Sequence, residues 1–303
     1  MPSKSILITG GTGFLGGALT KKMLAGGLDV AVLSRSKGKV ISRFGDRAKA
    51  FNRIEELPDA GEFKAVVNLA GAGIFDRRWN DVRKQELRDS RIKLTEKLVD
   101  WIGQSASRPG VLINGSAIGF YGDQGDDILN EQSLPKPDFA QQLCADWEAA
   151  ALQAETAGAR VCLIRTGLVL GQGGGMLQRM VLPFRLGLGG RIGNGSQWMS
   201  WIHIDDWLAI VQAMIDNPDM RGAYNATAPS PVRNLAFSEA LAGVLHRPML
   251  LPMPEAVLKV LLGEMAALVL GSQRVMPQRL LAGDFQFQHT QLDSALRHIL
   301  IPT

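Results

Sequence analysis

The sequence of 303 residues has only two cysteines, two tyrosines and no long uncharged apolar run. Cys144 and Cys162 are too few for a disulfide framework and lack the spacing of metal ligands, so neither kind of cross-link is expected. The most apolar segment, 250–271, carries three charged side chains, and its leucines recur at helical spacing. It therefore predicts a packed amphipathic helix and not a membrane span.

A large excess of one charge is also lacking. The formal net charge is +4, and basic residues are interspersed with acidic ones, as in segment 77–93. Without a basic patch interleaved with aromatic rings, nucleic acid is not an expected partner. A predicted strand at 5–9 begins the chain, with no signal or transit sequence before it. We therefore expect a cytoplasmic protein that binds neither nucleic acid nor a membrane. Its oligomeric state is open, with a homodimer as one arrangement.

Short apolar runs alternate with longer helical patterns along much of the chain. Strands that are apolar throughout and separated by helices indicate a parallel sheet covered on both faces. The predicted class is α/β, a Rossmann-type doubly wound parallel sheet. The predicted strands are 5–9, 29–34, 65–71, 111–117, 160–171 and 223–231, the predicted helices are 14–25, 79–103 and 138–156, and a strand end turns into a helix at 201–214.

The composition of the sequence changes after Gly171. A glycine-rich segment follows, and prolines separate the helical patterns nearer the C-terminus. These features predict a smaller, mostly helical C-terminal substrate lobe. We expect residues 1–172, with about 200–228 returning to them, to form the nucleotide-binding domain, and about 173–199 and 229–303 to form the lobe.

The first predicted strand runs directly into a glycine-rich turn that opens a helix. Gly10 allows the tight turn, Gly13 lets the backbone approach a pyrophosphate, and Gly16 permits close packing of the helix on the strand. The start of that helix presents unpaired N–H groups and a partial positive charge to the anion. Such glycines alone are a weak signal, but their position after the first strand predicts a dinucleotide site.

The end of the second predicted strand bears on which dinucleotide binds. Sites that prefer NAD usually carry Asp or Glu here, which accepts a hydrogen bond from the ribose 2′-hydroxyl. This chain has Ser34 and Arg35 instead. A guanidinium pairs with a 2′-phosphate, which a carboxylate would repel. NADP(H) is therefore the predicted cofactor in preference to NAD; the alternative is that Arg35 and Lys37 are an ordinary pair of surface charges.

Several stretches resemble the extended form of the short-chain dehydrogenase/reductase superfamily. They are NLAG (68–71), SAIGFYGD (116–123), IRTGLVLG (164–171) and WIHIDDWLAI (201–210). Two later stretches, RGAYNATAPSPV (221–232) and GSQRVMPQRLLAGDFQF (271–287), are similar to the narrower "epimerase family protein" group of the YfcH type, an atypical branch with a characteristic C-terminal domain. The resemblance covers nearly the whole chain and implies a Rossmann domain with a substrate lobe.

The resemblance also implies where the cofactor lies. The first turn surrounds the pyrophosphate, the end of the second strand holds the adenosine phosphate, and the loop after NLAG passes beside the ribose. Arg91 stands where extended members usually carry an asparagine, and it adds a second cationic contact; the alternative is an exposed helix charge. The implied cofactor-binding residues are Gly10, Thr12, Gly13, Phe14, Leu15, Gly16, Ser34, Arg35, Leu69, Ala70, Gly71, Arg91 and Val169, the last of them near the nicotinamide.

The catalytic pair of the superfamily is missing. Extended members use a Ser or Thr, a Tyr as the acid or base, and a Lys four residues after it, which lowers the pKa of the Tyr. With Glu148 as the marker on the same helix, the Tyr position is Ala140 and the Lys position is Cys144. Neither tyrosine of the chain is followed by a lysine at that spacing, so the Tyr–Lys dyad is absent.

Ser116 and Tyr121 are the leading substitutes for the missing dyad. Ser116 serves if its turn carries an extra residue, and Tyr121 then acts as an acid. The alternative for Tyr121 is a hydrogen-bonded wall of the pocket. Cys144 is a nucleophile or, in the alternative, a buried inert thiol.

The remaining polar side chains give weaker indications of a catalytic or binding role. His203 is a base or, in the alternative, hydrogen-bonded scaffolding at a strand end. His246 and His289 are expected to have no constellation of partners, and no carboxylate pair or metal cluster suggests another chemistry. The pair Trp147–Glu148 is expected to anchor the packing of its helix.

Two functions follow from these features. The first is an NADP(H)-dependent epimerase or oxidoreductase that acts on an unknown small polar substrate, such as a nucleotide-sugar-like molecule, in a cleft lined by the glycine-rich segment 187–195. The alternative is a non-catalytic NADP(H)-binding or redox-sensing protein with a protein partner, which the absent dyad favours.

Overall fold

The computed structural model describes residues 5–249 and 252–301. In chain order, the strands of these residues are β1 (Ser5–Thr9), β2 (Asp29–Leu33), β3 (Ala48–Phe51), β4 (Phe63–Asn68), β5 (Leu112–Ala117), β6 (Ile128–Leu129), β7 (Val161–Thr166), β8 (Leu168–Leu170), β9 (Trp198–Met199), β10 (Trp201–His203), β11 (Gly222–Ala226), β12 (Val232–Arg233) and β13 (Arg274–Val275). The helices are α1 (Phe14–Ala25), α2 (Lys37–Phe44), α3 (Asp81–Asp89), α4 (Ile92–Gln104), α5 (Phe139–Leu152), α6 (Gly175–Arg185), α7 (Ile204–Asp216), α8 (Asn234–Leu245), α9 (Glu255–Leu262), α10 (Ala266–Leu270), α11 (Gln278–Ala282) and α12 (Leu292–Leu300).

Seven strands form one parallel sheet in the order β3-β2-β1-β4-β5-β7-β11. The chain moves outward from β1 to β3 on one side and from β4 to β11 on the other. The strand order therefore reverses between β1 and β4, and ligands of such sheets bind in the crevice at the carboxyl ends beside this reversal. The predicted doubly wound Rossmann architecture is confirmed.

Apolar residues on both faces of the strands explain why this sheet is covered on both sides. Ile6 and Ile8 of β1 pack in a cluster with Leu19 of α1, whereas Leu7 points to the opposite cluster with Leu98 of α4. All five side chains are fully buried. Burial of a side chain of this size contributes about 1.5–3 kcal/mol, so the alternation along a single strand stabilises both layers.

The predicted helix at 79–103 is wrong as a single element, because the chain breaks between α3 and α4. Ser90 ends α3, and its hydroxyl accepts a hydrogen bond from the Ala72 N–H at 2.9 Å and donates to the Leu87 carbonyl. The contact with Ala72 is remote in sequence, so the helical periodicity gave no sign of it. Strand β3 was not predicted either; its four residues are too few for a clear pattern.

Two other predicted elements are divided at glycines. Residues 250 and 251 of the predicted helix 250–271 lie outside the described residues. The rest forms α9 and α10, with a short turn beginning at Gly263, whose φ of +59° ends the helix. The predicted strand 160–171 is divided at Gly167, where a Cβ would lie 2.6 Å from the Ser200 carbonyl oxygen, and β8 leaves the main sheet to pair with β10.

After β11, helix α11 packs against β11, which is the edge strand of the sheet. Helices α8 and α12 share a core that includes Phe237, Leu241 and Leu296. Strand β13 pairs with β6, which joins the C-terminal segment to the loop after β5. Among the described residues, every helix is too short or too polar to cross a membrane.

Candidate cofactor and substrate site

The glycine turn after β1 has the shape of a phosphate cradle. Gly10 has φ of +67°, and a Cβ there would lie 2.8 Å from the Leu69 carbonyl oxygen. A Cβ on Gly16 would overlap the carbonyl oxygen of Gly10 and lie 2.8 Å from its carbonyl carbon. Gly13 is the N-cap of α1, and neither a side-chain cap nor an acidic residue occupies the first turn. The helix N–H groups are therefore left for an anion, which fits the pyrophosphate of a dinucleotide.

The loop after β4 lies directly against this turn. The Thr9 hydroxyl accepts the N–H groups of Leu69 and Ala70, both at 3.1 Å, and donates to Asn68 Oδ1 at 2.6 Å. These bonds hold the loop beside Gly10 in the crevice between β1 and β4. The structure thus brings together the pyrophosphate and ribose segments that the sequence predicted.

A basic pocket of about 480 Å³ lies at the end of β2. Arg43 Nη1 donates to the Thr12 carbonyl at 2.6 Å, so this guanidinium lies against the glycine turn. Arg35 is exposed nearby, and the Ser36 N–H donates to Ser34 Oγ at 3.4 Å. The pocket is lined by Thr12, Ser36, Gly38, Lys39, Ser42 and Arg43.

The sequence analysis missed Lys39 and Arg43. They stand four residues apart on α2 and therefore on one face of it, which is a signal that the sequence did contain. Their two cationic side chains line a space that suits a phosphate group, and Arg35 is exposed on the segment just before the pocket.

Phe14 connects the turn to the segment that carries Val169. Its ring lies 3.0 Å from a Cβ built on Gly171, and Gly174 has no room for a Cβ for the same reason. Val169 is buried in the apolar cluster that contains Ile6, Ile8 and Leu19, and both Phe14 and Leu15 pack against that cluster. The structure therefore brings these three predicted cofactor residues together.

Arg91 is not an exposed helix charge. Its guanidinium lies 5.4 Å from the centre of the Trp147 ring and donates to the carbonyls of Leu87 at 3.2 Å and Ala72 at 3.1 Å. Burial lowers the pKa of Arg91. A Cβ on Gly71 would lie 2.8 Å from its guanidinium carbon. Arg91 thus braces the loop beside the predicted ribose site, and its direct contact with a cofactor stays a prediction.

One of the two positions of the missing dyad, Ala140, borders a cavity. Ala140 and Cys144 lie one turn apart on α5, and a Cβ on Gly119 would be 3.5 Å from the Ala140 Cβ and 3.8 Å from the Cys144 Sγ. Ala140 lines a cavity of about 470 Å³ between α5 and the C-terminal helices. The charged residues of its wall are Asp123, Asp138, Glu255, Lys259 and Glu264.

Glu148 is the centre of a buried polar network and does more than anchor its helix. Arg165 binds it with two hydrogen bonds of 2.8 Å, and the Ser116 hydroxyl donates to it at 2.6 Å. Arg165 also donates to the Tyr121 hydroxyl at 3.1 Å, and that hydroxyl donates to Asn225 at 2.6 Å. The network therefore joins α5, β7, β11 and the turn after β5.

This network bears directly on the two predicted catalytic residues. Tyr121 is 0% exposed and Ser116 is 6% exposed. Burial raises the pKa of Tyr121, although the guanidinium of Arg165 acts in the opposite direction. A buried phenol that already donates to an amide fits the alternative, a hydrogen-bonded wall, better than a proton donor. The catalytic role of both residues stays a prediction.

Cys144 is expected to be inert. Burial raises the pKa of its thiol to about 11, with a further contribution from the carboxylate of Glu148, and burial raises the pKa of Cys162 to about 11. Both thiols stay protonated below those values, and only the thiolate is a nucleophile. In mildly alkaline buffer, we expect a thiol reagent to modify neither cysteine in the native protein and both after denaturation. Rapid modification of a native Cys162→Ser variant would identify Cys144 as reactive and contradict this expectation.

The prediction that His289 has no partner is wrong. Its ring stacks on His203, with ring centres 3.7 Å apart, and His298, a residue that the sequence analysis did not single out, lies beside both. His203 is the N-cap of α7, and its Nδ1 accepts the Asp205 N–H at 3.1 Å. Burial and the nearby His289 lower the pKa of His203 to about 4. His246, by contrast, is exposed.

Comparison with known proteins agrees with this architecture. The model of the NAD dependent epimerase/dehydratase family matches residues 6–227, and a domain of unknown function (DUF1731) matches residues 253–299. An Arabidopsis thaliana relative named epimerase family protein SDR39U1 homolog, chloroplastic, is 40% identical over 305 residues and covers 98% of this chain and 86% of its own.

Two solved structures are also similar over nearly the whole chain. The human epimerase family protein SDR39U1 (isoform 2), crystallised with NADPH, is 34% identical, with a TM-score of 0.89 and coverage of 97% of this chain and 98% of its own. A nucleoside-diphosphate sugar epimerase from Corynebacterium glutamicum is 34% identical, with a TM-score of 0.77, and covers 98% of this chain and 58% of its own. The chain therefore belongs to the NAD dependent epimerase/dehydratase family, in the extended short-chain dehydrogenase/reductase fold, and carries that group's DUF1731 C-terminal domain.

Proposed function

We propose that this protein binds NADPH along the carboxyl edge of its sheet and acts as an oxidoreductase or epimerase on a small polar substrate. The observation that carries the proposal is the basic pocket beside the glycine turn. A pyrophosphate on the N-terminus of α1 places the adenosine end of a dinucleotide toward the end of β2. A 2′-phosphate there would meet Arg43 and Lys39 of the pocket, with the exposed Arg35 next to Ser36 of its wall, and the human relative crystallised with NADPH supports this choice.

The residues of the site have distinct tasks under this proposal. The N–H groups of the first turn of α1 would bind the pyrophosphate, and Arg43 would bind the 2′-phosphate while it holds the glycine turn through Thr12. Arg91 keeps the loop at Gly71 against the ribose. Bound NADPH supplies a hydride; the protein orients its nicotinamide and excludes water.

The cavity beside Ala140 is the proposed substrate site. In most extended members a tyrosine side chain occupies the position of Ala140, so the alanine leaves more room at this wall. Four carboxylates and one ammonium line the space; the ammonium of Lys259 lies 3.7 Å from Glu255, and Lys84 outside the lining pairs with Glu264, so the wall keeps an excess of negative charge. Like charges repel, so this wall disfavours a diphosphate and favours an uncharged or cationic polar molecule. The substrate class proposed is therefore a small polar compound without a phosphate group next to the reacting carbon.

Arg43→Ala is expected to weaken NADPH binding by about 10- to 100-fold, the effect of losing one charge-assisted hydrogen bond to a phosphate. Binding of NADH should weaken less, because NADH has no 2′-phosphate for Arg43 to bind and loses only the support that Arg43 gives to the turn through Thr12. Arg35→Asp should shift the preference further, toward NADH. Fluorescence titration of both dinucleotides measures these affinities.

Lys21→Ala, which removes an exposed lysine of α1 outside the pocket, is the matched control and should bind both dinucleotides as the native protein does. Equal affinity of the native protein for NADPH and NADH would overturn the NADP(H) assignment. Absence of binding to either would overturn the proposed function as a whole.

A second function is favoured by one specific observation. The hydroxyls of Ser116 and Tyr121 both donate hydrogen bonds within the buried network. Neither of these two predicted substitutes for the dyad therefore has a hydroxyl proton available to a substrate. The protein would then hold NADPH as a structural or sensory ligand and act through a protein partner. Turnover of NADPH with a carbonyl compound, lost in a cofactor-site variant, would exclude this second function. Turnover that persists in both Ser116→Ala and Tyr121→Phe would remove the catalytic role of these two residues.

A further inference from the structure

A group of three histidines and one aspartate lies outside the proposed NADPH and substrate sites. His203 ends β10, Asp205 lies in the first turn of α7, His289 precedes α12 and His298 lies on it. One nitrogen of each imidazole and one carboxylate oxygen all lie within 4.8 Å of one another. Residues from three segments of the chain thus meet at one point, although His203 and His298 are 95 residues apart in the sequence.

The packing around the group holds its members in place. His203 is 1% exposed, and its Nδ1 caps α7. The fully buried carboxylate of Asp206 accepts the N–H groups of Gln288 at 2.8 Å and of His289 at 3.0 Å, which fixes the backbone that carries the second imidazole. His298 is exposed on the outer side, so the group is open to solvent there.

The four ligand atoms lie within 4.8 Å of one another, but the short contacts of His203 involve both of its nitrogens, so side chains must turn as well as move closer before one ion can bind. His203 Nε2 and His298 Nδ1 are 3.1 Å apart, and Asp205 Oδ2 lies 3.6 Å from His203 Nδ1 and 3.9 Å from His289 Nε2. In a tetrahedral zinc site with bonds of about 2.0–2.1 Å, neighbouring ligand atoms are separated by roughly 3.3 Å. His298 is exposed, and Asp205 and His289 are partly exposed, so movement of these three side chains can close the remaining gap.

We propose that His203, His289, His298 and Asp205 form a binding site for a divalent transition-metal ion of the Zn²⁺ class. Imidazole and carboxylate are the ligands that this class of ion takes in proteins, and four donors complete a tetrahedral shell. In the metal-free protein, the Asp205 N–H faces His203 Nδ1, so His203 Nε2 carries the proton that it shares with His298 Nδ1. Metal binding at Nε2 moves that proton, by way of solvent, to Nδ1, and Nδ1 then gives up the hydrogen bond that it accepts from the Asp205 N–H. The ion would fasten the segment before α12, and α12 itself, to the end of β10.

Full-length protein without a histidine tag, freed of metal with a chelator, is titrated with Zn²⁺ by calorimetry, and Co²⁺ is added separately to record its visible absorption. We expect about one equivalent of Zn²⁺ to bind, the intense visible bands of tetrahedral Co²⁺ to appear, and saturating Zn²⁺ to raise the Tm by about 5 °C. His298→Ala is expected to weaken Zn²⁺ binding by at least about 10-fold and to lose the Co²⁺ bands. Because His298 is exposed, that variant keeps its fold, which far-UV circular dichroism verifies.

His246→Ala is the matched control, since His246 is exposed and remote in sequence from the group. It should bind Zn²⁺ as the native protein does. Native protein with no saturable Zn²⁺ binding would overturn the proposal, and so would His298→Ala with native affinity or an equal loss in His246→Ala. NADPH affinity measured with and without chelator is a separate readout, so failure of the metal site leaves the proposed function untouched.

Discussion

Replacing Gly16 by valine is expected to weaken NADPH binding strongly and to lower the stability of the protein. A Cβ at this position would overlap the carbonyl oxygen of Gly10, so α1 must move away from the turn that ends β1. Overpacking of this kind costs about 1–3 kcal/mol. Because relief of the clash displaces the phosphate cradle, a similar free energy is lost from binding, which weakens NADPH binding by up to about 100-fold. Fluorescence titration of NADPH gives the affinity, and urea unfolding gives the loss of stability.

The control for this variant is Gly243→Ala on α8. No atom lies within 4 Å of a Cβ built on Gly243, and the residue is exposed. Alanine should stabilise that helix by about 0.5–1 kcal/mol and leave NADPH binding unchanged. A folded Gly16→Val protein that binds NADPH with native affinity would show that the turn is not the phosphate site.

Replacing Glu148 by alanine is expected to give the largest loss of stability, about 3–5 kcal/mol. The carboxylate accepts two hydrogen bonds from Arg165 and one from Ser116, and its side chain is only 6% exposed. Its removal leaves a guanidinium in the interior without a counter-ion, which costs more than the ion pair itself contributes. Equilibrium unfolding in urea, followed by circular dichroism, measures the difference.

Two further variants separate the charge effect from a loss of packing. Arg297→Ala breaks the exposed pair between Arg297 and Asp293 and should cost less than about 1 kcal/mol. The double variant Glu148→Leu/Arg165→Met removes both buried charges and should recover much of the stability that Glu148→Ala loses. A loss in Glu148→Ala no larger than that in Arg297→Ala would refute the structural role assigned to the network.

The sequence was sufficient for the features that depend on neighbours along the chain. Strand β1 and helix α1 have the predicted bounds, because an uninterrupted apolar run followed by Gly10, Gly13 and Gly16 is a local signal. The roles of the buried strands in a parallel sheet also followed from their composition, since strands buried on both faces must be apolar on both.

The features that the sequence did not reveal depend on which segments the sheet order brings together. His203 and His298 are 95 residues apart, and the Arg43 side chain reaches back 31 residues to Thr12. Ser90 breaks the predicted helix through a bond to Ala72, 18 residues earlier. No periodicity encodes such contacts, so these parts of the site could be seen only in three dimensions.

The pairing of β6 with β13 brings residues from late in the chain against the turn after β5, and this affects the order in which the fold forms during synthesis. Gln273 donates to the carbonyls of Ile118 at 3.1 Å and Gly122 at 3.0 Å, across intervals of 155 and 151 residues. All seven strands of the main sheet have been translated once Ala226 has left the ribosome, but the turn that carries Tyr121 still lacks these partners. That turn therefore receives its final hydrogen bonds only when residue 273 emerges, so the wall of the proposed substrate cavity is among the last parts of the molecule to be built.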